Sequence, residues 1–385
     1  MEKSDPSSSA HFPRLLLLGG DGCYSGVPTY LEQLCAALTG QAGISIIADR
    51  NRGGYDFASA TGVALREVEG MQTSLSPRRF WRALRALGRM LEENPPDLVW
   101  AHARMSLILL RILMITRRLR RKPSPRFAAT YHGLPFSPGH RRGFAALSLW
   151  GERAFLALSP AHHLHFLSPA AAREFTRRVG PRVLVRHRCH VLTNCSHLGP
   201  ITPHERTAHP TLLMTGRASF QKNHDTAIRL FAALPENYSL ILCGAGTEPE
   251  QMTPRFEAAR AGLSKRVRFL GPVPDIRPVL AEADLFLLTS RYEGMPIAAL
   301  EAFEAGLPMA LSDISGMAEI LAAHPMATPI DLQTPEAAGS AITDLITRFR
   351  TIPSARANIQ TAWAAQFSYA NWVVGAQKML SEMLE

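Results

Sequence analysis

Ser290-Arg291-Tyr292-Glu293-Gly294-Met295-Pro296-Ile297-Ala298-Ala299-Leu300-Glu301 joins two kinds of pattern. The run before it, Asp284-Leu285-Phe286-Leu287-Leu288-Thr289, is short, bounded and rich in leucine and phenylalanine, and reads as a buried parallel strand. After Pro296 the residues Ala298, Ala299, Leu300, Ala302, Phe303 and Ala305 favour a helix. Gly306 and Pro308 then stand where a helix C-terminus wants them. Glu293 therefore falls on the loop at the carboxyl end of a strand, and Glu301 two turns into a helix. Pro296 suits a first helical turn, and Gly294 lets the backbone approach a ligand. Free N–H groups at the helix start favour an anion. Two acceptor-only carboxylates beside such a site suit the hydroxyls of a sugar. The same spacing alone also describes an ordinary strand–helix connection with two surface glutamates.

The chain has 385 residues, which suits two domains of ordinary size, and its 46% apolar content is enough for sizeable cores. The five cysteines, Cys23, Cys35, Cys189, Cys195 and Cys243, are scattered without a C-x-x-C pair. They predict a reducing compartment, neither a disulfide framework nor a zinc site. Met1 to His11 is polar rather than a secretory signal. Met105 to Thr116, the most lipid-like run, is interrupted by Arg111 and too short to span a bilayer. The expected location is cytoplasmic.

The net charge of +10 is unevenly spread. Residues 1–200 hold 27 Lys and Arg against 13 Asp and Glu, an excess of 14, whereas residues 201–385 hold 15 against 19, a deficit of 4. Two basic clusters stand out: Arg78, Arg79, Arg82, Arg85 and Arg89, then Arg111, Arg117, Arg118, Arg120, Arg121, Lys122 and Arg126. The first interleaves with Phe80, Trp81, Leu84, Leu87 and Met90, as in a helix lying on the inner face of an anionic membrane. A solvated helix with its apolar side packed on its own domain fits the same pattern. A nucleic-acid partner is the third reading of a basic half and is not expected.

Arg14 to Leu18 reads as a buried strand leading into Gly19-Gly20-Asp21-Gly22-Cys23-Tyr24-Ser25-Gly26-Val27-Pro28 and a helix through Tyr30, Leu31, Leu34, Cys35 and Leu38. Strand, glycine-rich loop and helix open a doubly wound sheet. The glycines lack the G-x-G-x-x-G register, and only Asp49 approaches the place of a ribose-binding acid, which argues against a dinucleotide enzyme. Further strands are expected at Ile44–Ala48, up to His102, at Phe127–Thr130, at Leu164–Ser168 and at Val191–Asn194. His102 and His132 lie just past strand ends, the edge where open α/β sheets bind ligands. His162, His163 and His165 have strand-and-loop spacing and read as structural rather than as metal ligands.

The composition shifts around residue 195, and Ser196 to Pro210, with Gly199, Pro200, Pro203 and Pro210, reads as an interdomain linker. Strand, loop and helix then restart at Thr211–Thr215, followed by strands at Ser239–Cys243 and Arg266–Leu270. Arg217, Lys222, Gly244, Gly271 and Glu293 all follow strands of this second sheet. Arg217 and Lys222, five apart on one loop, could hold a diphosphate between a guanidinium fork and a point charge. The tail from Phe367 to Leu384 is amphipathic through Trp372, Val373, Val374, Met379, Leu380 and Met383.

Taken together, these residues resemble the family 4 glycosyltransferases, retaining enzymes of the GT-B type. The resemblance covers most of the chain and is most specific from Gly216 to Glu319. Glu293-Gly294-Met295-Pro296-Ile297-Ala298-Ala299-Leu300-Glu301 resembles the family's paired-glutamate signature. Gly216-Arg217 with Lys222 resembles its diphosphate loop, Val267 to Gly271 the strand before its base-binding turn, and Thr130-Tyr131-His132-Gly133 its T-x-H-G segment. Ser25-Gly26-Val27 resembles the glycine turn facing the donor phosphate.

The resemblance implies an α/β GT-B fold, with two Rossmann-like doubly wound domains facing a central cleft. Residues 1–198 would form the acceptor domain, 199–210 the linker and 211–366 the donor domain, with 367–385 crossing back to complete the first. Arg217 and Lys222 would neutralise the donor diphosphate, and Gly26 would face it. Glu301 would bind the ribose, and Glu293 with the backbone of Gly294, Met295, Pro296 and Ile297 would hold the sugar. The backbone near Gly244 and Val273 would meet the base, and His132 would lie beside the anomeric centre.

The expected donor is a UDP-sugar, with a glycan or lipid-linked acceptor and no cofactor. No metal is expected, since no D-x-D triplet occurs. Ala218, Asn223 and Asn194-Cys195-Ser196-His197 depart from the pattern: the usual residues are a leucine, a glycine and N-G-V-D. A nucleotide-sugar epimerase and a non-catalytic glycan or nucleotide-sugar binder are the alternative functions.

Overall fold

The computed structural model describes residues 12–74, 76–205, 207–248, 250, 258–259 and 261–385. Two sheets carry the fold, and every strand pair in them is parallel. The first contains β1 (Arg14–Leu18), β2 (Gly43–Ala48), β3 (Ala64–Glu67), β4 (Leu98–Ala101), β5 (Arg126–Tyr131), β6 (His163–Phe166) and β7 (Arg188–Val191). Its order is β3-β2-β1-β4-β5-β6-β7. The second contains β8 (Thr211–Thr215), β9 (Ser239–Cys243), β10 (Val267–Gly271), β11 (Leu285–Leu288), β12 (Met309–Ser312) and β13 (Ala327–Ile330), in the order β10-β9-β8-β11-β12-β13. In each sheet the order reverses beside the first strand, which places a ligand crevice at its carboxyl edge.

The central strands are apolar because helices cover both faces. Leu15, Leu17 and Trp100 in the first sheet, and Leu213, Ile241 and Phe286 in the second, are buried. The strand β3, Ala-Leu-Arg-Glu at one edge, is too exposed and polar to announce itself in sequence. The strands β12 and β13 are four residues long and also escape periodicity. The strand β7 lies at Arg188–Val191, three residues before the apolar run expected to form it. An edge strand tolerates Arg188 and His190, so apolar content marks the wrong residues.

The tail forms the helix Tyr369–Leu384 and packs against the helix Gly26–Leu38 of the first unit. Trp372 meets Tyr30 edge-on at 5.6 Å, Tyr369 Oη donates to the Gln33 carbonyl at 3.3 Å, and Gln377 donates to the Ala37 carbonyl at 3.0 Å. Val374, expected on the packed side, instead faces solvent.

The first basic cluster lies on the helix Pro77–Glu93. Its apolar side is spent internally: Ala83, Leu84, Leu87 and Leu91 are buried against the first sheet, and Trp81 is left exposed. Arg79 and Arg82 both pair with Glu69. In the second cluster Arg117 donates to the Pro123 carbonyl, Arg118 to that of Leu158, and Lys122 pairs with Glu92. Among the described residues no helix is long and apolar enough to cross a membrane.

Candidate active site

The loop after β8 begins at Gly216, whose φ of +137° favours glycine, and a Cβ there would press on the Lys222 side chain at 2.8 Å. The loop ends at Asn223, in the left-handed region with φ +61°. Asparagine tolerates that conformation, so it replaces the usual glycine without disturbing the turn. Its side chain also donates to the Thr289 carbonyl at 3.2 Å, tying the loop to the end of β11. The Ala218 amide donates to the Ala245 carbonyl at 2.7 Å.

Lys222 Nζ lies 2.8 Å from Glu293 Oε1, both side chains largely withdrawn from solvent. Ser290 Oγ donates to the same oxygen at 2.8 Å, and Gln221 Nε2 donates to Glu293 Oε2 at 3.0 Å. Three donors thus fix the carboxylate while Oε2 keeps acceptor capacity. Ser290 and Gln221 carry no pattern that sequence reading could have caught. Arg217, on the same loop, is exposed and has no side-chain partner among the described residues.

The signature helix spans Ile297–Glu304, with Pro296 at its cap. Glu301 is its fifth residue, so it lies one turn in rather than two. Gly306 closes the helix with φ +71°, as the sequence predicts. Glu301 is partly exposed, yet burial of its carboxyl and the neighbouring Glu304 raise it to about 7, against a smaller opposing pull from Lys222. Burial, with Glu301 as a lesser cause, pushes the Cys243 thiol up to about 11, against the opposing influence of the nearby Val273 backbone, and the thiol donates to the Gly271 carbonyl at 3.4 Å. Glu301, Val273 and the end of β9 at Gly244 are therefore neighbours. Glu304 has a separate task that the sequence does not announce: the amides of Leu198 and Gly199 donate to its Oε1 at 2.9 and 3.1 Å, clamping the linker.

The first unit meets this edge directly. A Cβ on Gly294 would lie 2.2 Å from the His132 carbonyl oxygen, so glycine is needed for the approach. Tyr292 stacks on His140 at 3.7 Å. Asn194 Nδ2 donates to the Met295 carbonyl at 2.6 Å, and Ser196 Oγ donates to the Leu300 carbonyl at 3.1 Å. The segment that departs from N-G-V-D is thus a clasp between the two walls. Further along, the Ala170 amide donates to Glu319 Oε1 at 2.8 Å.

His132 packs edge-on against Tyr30 at 4.9 Å, and its Nε2 is buried without a partner among the described residues. Burial lowers its pKa to about 3, so the ring is neutral near pH 7. Gly26 starts the helix Gly26–Leu38, with nothing within 4 Å of where a Cβ would point. A cavity of about 560 Å³ opens on the first unit's side and is lined in part by His102, His132 and Gly133.

Other candidates have structural partners. Asp49 accepts from the Gly70 and Gln72 amides at 2.8 and 3.1 Å, fixing a turn. His162 stacks on Phe127 at 4.2 Å, and His165 bonds to Thr130 at 3.0 Å. Among the described residues no group of three or more His, Cys, Asp or Glu could hold a metal ion.

A likeness to known proteins agrees with this architecture. Residues 25–195 match the model "Glycosyl transferase 4-like domain", and residues 203–358 match "Glycosyl transferases group 1". The O-antigen biosynthesis glycosyltransferase WbnH of Escherichia coli is 32% identical over 110 residues, which cover 29% of this chain and 30% of that one. The E. coli UDP-Gal:alpha-D-GlcNAc-diphosphoundecaprenol alpha-1,3-galactosyltransferase is 48% identical over 54 residues, 14% of each chain. These matches span well under two thirds of either relative's length. Among solved structures, HepE of Anabaena in complex with UDP and glucose has a TM-score of 0.76 at 16% identity, over 96% of this chain and 100% of that one. That likeness concerns the fold. With two family models that between them span the second sheet and all of the first but β1, the chain belongs to the family 4 glycosyltransferases of GT-B fold.

Proposed function

We propose that the chain is a retaining glycosyltransferase that moves a sugar from a UDP-sugar to a hydroxyl of a glycan or lipid-linked acceptor in polysaccharide or glycoconjugate biosynthesis. The observation that carries this reading is the Lys222–Glu293 pair, 2.8 Å apart, on the edge where Gly294 touches the His132 backbone. A cation and a hydroxyl acceptor are held together there, with Arg217, which has no side-chain partner among the described residues, on the same loop. HepE, solved with UDP and glucose, supports the choice of nucleotide, and the galactosyltransferase relative carries UDP-Gal in its name.

In this reading the reaction breaks the bond between the sugar's anomeric carbon and the diphosphate oxygen, and forms a bond from that carbon to the acceptor oxygen on the same face. Negative charge grows on the departing diphosphate. Arg217, Lys222 and the free N–H groups at Ile297 and Ala298 stabilise it without reorganising. They take the role that a metal ion would otherwise fill. The leaving phosphate oxygen receives the acceptor's proton. Neutral His132 offers hydrogen bonds beside the anomeric centre without adding charge. Glu293 accepts from sugar hydroxyls through the spare capacity of Oε2, and Glu301 accepts from the ribose. Gly244 and Val273 provide backbone groups for the base, and Gly26 faces the phosphates.

A thermal-shift screen of nucleotides tests the reading. UDP at a few hundred times its Kd should stabilise the protein by about 3 kcal/mol. A response to no nucleotide would contradict it. Product analysis with a UDP-sugar separates transfer from epimerisation, which alters the donor with no acceptor present.

A further inference from the structure

The loop after β9 joins two parts of the candidate site. On one side, the Gly216 amide donates to the Cys243 carbonyl at 2.8 Å, and the Ala218 amide donates to the Ala245 carbonyl at 2.7 Å. These bonds tie it to the loop of Arg217 and Lys222. On the other side, the Gly244 amide donates to the Gly271 carbonyl at 2.8 Å, and the Gly271 amide donates to the Thr247 carbonyl at 3.0 Å. Thr247 is fully buried and donates its hydroxyl to the Gly244 carbonyl at 2.8 Å. Gly244 to Thr247 is thus a braced bridge from the cationic loop to the turn that begins at Gly271.

Glu248 is the next residue on that bridge. Gly271 has φ +65°, and a Cβ there would lie 2.9 Å from Glu248 Cγ. The Glu248 side chain therefore lies along Gly271, two residues from Val273. Its Oε2 is buried and has no hydrogen-bond partner among the described residues. Two neighbouring acids are already committed: Asp275 pairs with Arg277 at 2.8 Å, and Glu282 pairs with Arg268. A carboxylate oxygen buried without a donor is costly, and a ligand that brings a donor removes the cost.

We propose that Glu248 selects the base of the nucleotide by accepting the N3–H of uracil at Oε2. Because it places a reader within the UDP-sugar site, this role rests on the transferase reading. A carboxylate is acceptor-only, so it suits a base with an N–H donor at the middle of its hydrogen-bonding edge. Uracil has N3–H there, between two carbonyl oxygens. Cytosine has a bare N3 in the same place and adenine a bare N1, and each would set a lone pair against the carboxylate. A hydrogen bond to a charged group is among the stronger contacts of a protected site, and an analogue without the donor leaves the carboxylate unmet. Arg217 and Lys222 act on the diphosphate, which all these nucleotides share, so selection between bases comes from the Glu248 end. Gly271 fits the same role, since a side chain there would push Glu248 from its place.

The test is titration calorimetry on the full chain with UDP, CDP and N3-methyl-UDP. CDP differs from UDP only at C4 and N3, and N3-methyl-UDP only in the group on N3. The wild type should bind both analogues at least about 100-fold more weakly than UDP. Glu248→Gln keeps the side chain's shape and adds an N–H that cytosine N3 can accept, so UDP and CDP should bind it within about threefold of each other. Glu248→Ala should weaken UDP by about tenfold or more and discriminate less against N3-methyl-UDP. Circular dichroism checks that both variants fold, and if Glu248→Ala does not, Glu248→Gln and the analogues on the wild type decide. Equal binding of UDP and CDP by the wild type would overturn the proposal and leave the transferase reading standing. So would a Glu248→Gln variant that keeps the wild-type ratio of UDP to CDP affinity, or a wild type that binds GDP more tightly than UDP. If the wild type binds none of UDP, CDP and GDP, the transferase reading falls and the role of Glu248 falls with it.

Discussion

Lys222 Nζ and Glu293 Oε1 lie 2.8 Å apart, joining the loop after β8 to the loop after β11. Neither residue belongs to the other's strand–helix unit, so the pair exists only because β8 and β11 are neighbours in the sheet. Removing one partner leaves the other charged and little exposed, which is costly even before substrate binds. The pair therefore makes loop geometry and donor chemistry depend on each other.

Lys222→Ala should lower kcat/KM for the UDP-sugar by roughly 100- to 1,000-fold, about 3 to 4 kcal/mol of transition-state stabilisation. Steady-state kinetics at saturating acceptor measure this. Near-normal kcat/KM would remove Lys222 from the diphosphate site.

Gly294→Ala should block the close approach to the first unit, because the new methyl would sit 2.2 Å from the His132 carbonyl oxygen. Overpacking of this kind costs about 1–3 kcal/mol. The strain falls on the contact between the walls, so turnover should drop far more than affinity for free UDP. A parallel kinetic and calorimetric comparison checks the split, and an unchanged kcat would show that the contact is dispensable.

Glu301 makes stability and affinity pH-dependent in opposite directions. Its carboxyl is raised from 4.5 to about 7, so between those values the folded chain keeps a proton that the unfolded chain has lost. Its contribution to stability is therefore largest below about pH 4.5 and declines as pH rises towards 7. Ionised Glu301 is the better acceptor for ribose hydroxyls, so UDP affinity should rise through pH 7. Glu301→Gln should flatten both trends in thermal unfolding and in calorimetry. A mutant with the wild-type pH profile would show that another group titrates.

Trp372→Ala should destabilise the protein by about 3–5 kcal/mol, the usual cost of truncating a large buried aromatic. The loss would fall on the first unit, through Tyr30. Urea unfolding measures it, and a change below 1 kcal/mol would mean that the tail helix is not held by this contact.

Local pattern carried much of this structure into the sequence. The strands β1, β8 and β9, the helix after Pro296, the stop at Gly306 and the amphipathic tail helix follow from apolar runs and punctuating residues, whereas the side on which the tail packs was implied only by the family resemblance. The strands β3, β12 and β13 did not, because four residues at or near an edge leave too short a period. The clasps were equally hidden. Asn194 with Met295, Glu304 with the linker and Tyr292 with His140 are pairings between distant segments, set by how two sheets dock. The basic helix Pro77–Glu93 showed its amphipathicity plainly, but no sequence pattern says whether an apolar stripe faces a bilayer or its own sheet. Burial of Leu84 and Leu87 answers that for this helix.

The central claim is that Arg217, Lys222, Glu293 and Glu301 form a pocket for a nucleoside diphosphate sugar. Titration calorimetry of UDP into the wild-type chain and into the Arg217→Ala, Lys222→Ala double variant tests it most directly. The account predicts saturable binding to the wild type and at least 100-fold weaker binding to the double variant, with both chains folded by circular dichroism. Equal affinity in the two chains would place the diphosphate elsewhere and contradict the account.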